Sequence, residues 1–146
     1  MMGTKFKDIY DRAIFMFKDY NLIQLSTDAS REAVLEQYLM SAVFDFADLC
    51  EFDLTAYDVM SKTFNETLDY KTIEILARGL VYHWLCAQEM STEMLRNSLS
   101  TKDFTQYSPA NLLNALTTLR EDLYEKYNKE IILYSYRNGD IAGINL

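Results

Sequence analysis

The chain has 146 residues, of which 49% are hydrophobic and 25% charged, with four Gly and one Pro. That composition excludes a disordered chain, and so few turn formers argue against a sandwich or barrel. A formal net charge of −8 makes it a poor candidate for wrapping duplex DNA, which needs clustered Lys and Arg to displace counterions.

Residues 4–20 predict a first helix, with Phe6, Ile9, Tyr10, Ala13, Ile14 and Phe17 on one face. Phe15 and Met16 fall off that stripe, which fits either a second contact surface or a helix pressed on two sides. Ser26-Thr27-Asp28 supplies capping side chains for a second helix over residues 30–50. Its apolar positions are Val34, Leu35, Tyr38, Leu39, Ala42, Val43, Phe46 and Leu49. Residues 51–69 are the least regular stretch, a loop or short helical turn. Phe52, Leu54, Tyr57, Met60, Phe64 and Leu68 are expected to peg it to the core. Over residues 45–74 eight acids stand against two bases, Lys62 and Lys71, so this middle section carries most of the net negative charge.

A third helix is predicted over residues 70–90, with Ile73, Leu76, Ala77, Leu80, Trp84 and Ala87 on one side. Gly79 in its interior costs roughly 1 kcal/mol against Ala, so close helix packing is expected there. Residues 91–99 suggest a short fourth helix. Ser108 then caps a long final helix and Pro109 takes its first position, where a missing N–H loses nothing. Its stripe is Leu112, Leu116, Leu119, Leu123, Tyr127, Ile131 and Tyr134, and Asp122–Lys126 and Glu125–Lys129 support an exposed face. From Ile131, IILYSY reads equally as helix or strand. Asn138-Gly139 is a turn or helix end, and an apolar tail follows.

The fold class expected is all-α: a four- to five-helix bundle with a long C-terminal helix and an extended C-terminal tail. Residues 1–134 form the bundle domain, and 135–146 form an extension for partner docking.

Little in the chain points to catalysis. Its one histidine, His83, lies three residues before Cys86, and a structural zinc site needs about four such ligands. His83 therefore reads as a core or interface residue. No Glu-x-x-His pair, phosphate-binding glycine loop or nucleophile elbow is present. We expect no enzyme, no cofactor and no metal. Cys50 and Cys86 form no C-x-x-C pair and predict reduced thiols in a cytoplasmic compartment. No apolar run reaches the roughly 18–20 residues that span a membrane, so no membrane partner is expected. Eleven tyrosines are a heavy load, and Tyr124, Tyr127, Tyr134 and Tyr136 late in the chain suggest an interface.

Three blocks taken in order carry a resemblance: TIEILARGLVYHWLCAQ (72–88), TKDFTQYSPANLL (101–113) and YSYRNGDI (134–141). With a long helix between the last two, the chain from Thr72 onward resembles head-to-tail connector, adaptor or head-completion proteins of tailed-bacteriophage necks. The N-terminal half matches by helical character alone. The resemblance implies a virion protein, made in the bacterial host cytoplasm and assembled as a homo-oligomeric ring, commonly of twelve copies. It also implies portal, neck and tail proteins as partners, with DNA passing through the ring without sequence-specific binding. Its C-terminal extension would dock on the portal by adding backbone hydrogen bonds to a sheet edge. The partner-binding residues expected are Tyr134, Tyr136, Arg137, Asn138, Gly139, Asp140, Ile141, Ile144 and Leu146. A different reading is an acidic regulatory or inhibitor protein that binds a basic partner surface.

Overall fold

The computed structural model describes residues 3–19, 29–98 and 109–137. Among them it places four helices and one small hairpin: α1 (Phe6–Asp19), α2 (Ala29–Phe46), β1 (Tyr57–Asp58), β2 (Thr63–Phe64), α3 (Tyr70–Ser98) and α4 (Pro109–Ser135). The all-α expectation holds. α3 is the central element, packed against each of the other three helices. α1 runs parallel to it, with Arg12 beside Glu74 and Phe17 against Trp84. α4 runs antiparallel, with Glu130 beside Arg78 and Arg120 beside Glu89.

Each helix buries most of the stripe its spacing defines. Val34 and Leu49, expected inside, are instead 40% and 41% exposed, and α3 also buries Ile75, Val81 and Leu85, which lay off its expected stripe. Phe6, Ile9, Tyr10, Ala13 and Phe17 of α1 are buried, and so are Leu35, Leu39, Ala42, Val43 and Phe46 of α2. From α3 come Ile75, Leu76, Ala77, Leu80, Val81, Trp84 and Leu85; from α4 come Leu123, Tyr127, Ile131 and Tyr134. Burying each large apolar side chain contributes about 1.5–3 kcal/mol, so this shared core holds the helices together. Met16 is buried and Phe15 is exposed, with the Arg12 guanidinium over its ring at 5.8 Å. The two off-stripe residues of α1 thus have different fates.

Several boundaries differ from the sequence reading. α3 continues without a break to Ser98, where a separate short helix was expected after residue 90. Glu89, at that expected break, is bound by Thr117 and Arg120 of α4, so the partner helix runs alongside and supports continuation. α3 is capped by Asp69, whose carboxylate accepts a hydrogen bond from Thr72 N at 2.8 Å. IILYSY stays helical through Ser135 because Ile131 and Tyr134 lie on the stripe that Tyr127 begins. Tertiary burial overrides the β preference of the isoleucines.

Residues 51–69 are built around the hairpin, not a helical turn. Tyr57 pairs with Phe64 and Asp58 with Thr63. Asp58 accepts hydrogen bonds from Ser61 N at 3.1 Å and Met60 N at 3.4 Å, which closes the turn. Lys62 completes it at φ 55°. The residues before α1 dock on the other edge: Phe64 N donates to Thr4 O at 2.8 Å and Thr4 N to Glu66 O at 3.1 Å. Of the expected pegs, Leu54, Phe64 and Leu68 are buried and Phe52 and Tyr57 are half-buried. Met60 is a correction: it sits in the hairpin turn, 89% exposed.

Candidate interaction surface

The expected binding segment begins at the end of α4, and the helix divides its residues sharply. Tyr134 is 2% exposed and belongs to the core, which corrects its assignment as a docking residue. Its ring meets Phe46 edge-on at a centroid distance of 4.9 Å. Its hydroxyl accepts a hydrogen bond from Glu51 N at 3.3 Å and lies 3.7 Å from Cys50 Sγ. Burial pushes that hydroxyl up to about 12. The physical reason is spacing. Tyr134 follows Ile131 by three residues and Tyr127 by seven, so it faces inward with them. Tyr127 is likewise a core residue, whereas Tyr124 is half exposed.

Tyr136 and Arg137 are exposed at the helix end, as a docking role requires. Asn138, Gly139, Asp140, Ile141, Ile144 and Leu146 lie outside the described residues. Two residues missed in the sequence join the exposed set: Ile132 and Leu133, 45% and 44% exposed. They lie between Ile131 and Tyr134 in sequence, so the helical phase that buries those two turns them outward. That signal was available once IILYSY was read as helix.

Leu133 also lines a groove of about 250 Å³ with Tyr70, Lys71, Glu74, Ile75, Glu130 and Tyr134. It lies between the start of α3 and the end of α4. One wall is an ion chain that ties three helices together. Arg12 Nε donates to Glu74 Oε1 at 2.7 Å and its Nη2 to Oε2 at 3.0 Å. Arg78 then donates to Glu74 at 3.2 Å and to Glu130 at 2.8 Å. The Arg12 hydrogen bonds, against opposing desolvation, hold the Glu74 carboxyl below the usual range, with help from the charges of Arg12 and Arg78. The groove thus has an apolar floor and a fixed polar wall.

His83 sits at the edge of the core, with Nε2 2.7 Å from Asp45 Oδ2. The Tyr127 hydroxyl donates to the same oxygen at 3.1 Å. This places His83 in a polar link between α2 and α3, and both its neighbours are partly or fully packed side chains. Among the described residues no group of three or more His, Cys, Asp or Glu side chains could hold a metal ion. Among them, too, no helix is long and apolar enough to cross a membrane. Comparison with protein-family models, curated proteins and solved structures finds no match to the chain.

Proposed function

We propose that this chain is a structural protein of a tailed-phage neck, forming a ring adaptor between portal and tail. Its C-terminal segment docks on a neighbouring subunit. One observation carries the reading. Tyr134 is the last buried residue among the described ones, yet Ile132 and Leu133 at the end of α4 and Tyr136 just after it are exposed. After Arg137 the sequence continues for nine residues that include Ile141, Ile144 and Leu146. Exposed apolar side chains grouped at one helix end are suited to a partner's surface. The resemblance of residues 72–141 to connector proteins supplies the identity of that partner as a portal. The charge of −8 supports a lumen that repels phosphates and lets DNA slide.

Mass spectrometry of purified particles tests the assignment, with the chain expected as a stoichiometric virion component. Deletion of residues 139–146 tests the docking segment. The deleted protein is expected to keep its helical circular dichroism and melting temperature while failing to enter particles. Normal incorporation of the shortened chain would remove the tail from the mechanism. Absence of the chain from particles would instead favour the acidic regulator of a basic partner.

A further inference from the structure

α2 is apolar on two faces, and only one of them meets the core. Leu35, Leu39, Ala42, Val43 and Phe46 point into the bundle, whereas Phe44 is 84% exposed and Met40 only partly covered. A helix apolar on both sides is built for a second partner. Along this outer face runs a groove of about 430 Å³ lined by Met40, Val43, Phe44, Ala47, Leu54 and Tyr57, with Asp48 and Thr55 at its margin. That volume falls within the roughly 300–1,000 Å³ typical of binding clefts.

The charge around the groove states what fits it. Among its lining residues the charged one is the acid Asp48, and none is Lys or Arg. The bases nearest in sequence are Arg31 and Lys62, and Lys62 is already paired with Glu36 at 3.0 Å. A second copy pressing the same face would bring its own Asp48 towards this one with no lining base to offset it, which like-charge repulsion opposes.

We propose that the Met40–Phe44–Ala47 groove docks a segment of another protein that carries a large apolar side chain flanked by Lys or Arg. Phe44 supplies the aromatic anchor, and Asp48 supplies the acidic margin that selects the basic flank. This surface stands on its own residues and does not depend on the neck assignment.

The probe is a fluorescein-labelled amphipathic helical peptide of Leu and Lys, titrated with the full chain and followed by anisotropy. A Leu–Glu peptide of the same pattern is the control. The Lys peptide is expected to bind, more weakly as salt rises, and the Glu peptide is not. Phe44→Ser and Asp48→Lys should each weaken binding by about tenfold or more. Asp122→Lys, the same charge change on α4, should leave it nearly unaltered, as should deletion of 139–146. Both groove positions are solvent-facing, so melting temperatures should match the parent chain. Three results would overturn the proposal: equal binding of both peptides, no binding of either, or equal losses from Asp48→Lys and Asp122→Lys. A dimer that Phe44→Ser dissociates would assign the groove to a second copy and overturn it too.

Discussion

A Cβ placed on Gly79 would lie 2.6 Å from the Tyr127 hydroxyl oxygen and 2.7 Å from Ala42 Cβ. Gly79 is therefore the point where α2 and α4 both close on α3. Its absent side chain lets Tyr127 reach Asp45 across the interface.

Gly79→Ala sets two effects against each other. Helix propensity favours Ala by roughly 1 kcal/mol, while forcing a methyl into a packed core costs about 1–3 kcal/mol. Ala42 Cβ has no rotamer with which to yield, so the clash should win, with net destabilisation of up to about 2 kcal/mol. Urea denaturation measures it. Ala42→Gly removes one of the two clashing atoms but costs roughly 1 kcal/mol in helix propensity itself, so the double variant should lose less than the two single losses added together. A more stable Gly79→Ala would mean that the helices are free to separate.

Tyr134 and Tyr136 should respond in opposite ways although they are two residues apart. Tyr134→Phe removes the acceptor for Glu51 N and should cost about 1 kcal/mol, and Tyr134→Ala about 3–5 kcal/mol. Tyr136→Ala should stay within about 0.5 kcal/mol in stability. Thermal melts of the three variants check this division. Equal losses at both positions would return Tyr134 to the surface.

The helices were legible because their apolar spacing is regular, although α2 carries apolar residues on a second face as well. Gly79 was legible as well, since a glycine inside a strong helix pattern needs a close neighbour. The end of α3 was not, because Ser91-Thr92 resembles a cap and only the contact between Glu89 and α4 shows that the helix continues. The hairpin was hidden for a similar reason. Its strands have two residues each, and its stability comes from Asp58 in the turn and from the Thr4 backbone at the edge. Two-residue strands leave no period to read. Tyr134 reads as a surface residue from its late position in the chain, whereas its helical phase, shared with Tyr127 and Ile131, turns it inward. The outer groove on α2 is not legible in the sequence, because tertiary contacts alone tell which face of an apolar helix is covered.

The thiols offer a chemical check on the packing. Burial pushes both Cys50 and Cys86 above the ordinary thiol value; hydrogen bonds involving Phe52 and Tyr134 oppose it at Cys50, and Tyr82 opposes it at Cys86. The thiolate is the reactive form, so at pH 8 the folded protein should react with a disulfide reagent at least about tenfold more slowly than the urea-unfolded chain. Ellman titration with and without urea follows the rate. Equal rates would mean that both sulfurs are open to solvent.

Acid should weaken the bundle through the ion chain. The Glu74 carboxyl is held down first by its Arg12 hydrogen bonds, and burial opposes them without prevailing. Glu89 shifts the same way: burial raises it, but Thr117 and Arg120 outweigh that and leave it lowered. A carboxyl depressed on folding contributes stability that is complete above its unfolded value, about 4.3 for Glu. The contribution is lost as pH falls through the lower folded value. Stability should therefore be level from pH 7 to about 5 with respect to these groups and decline below about 4. Glu74→Gln should cost about 1–2 kcal/mol at pH 7, because Arg12 and Arg78 both lose a charged acceptor that is partly solvent-screened. Urea midpoints of parent and variant, compared from pH 7 to pH 3, should converge at the acid end. A difference that stayed constant over that range would mean the Glu74 charge contributes nothing and that the helices are joined here by packing alone.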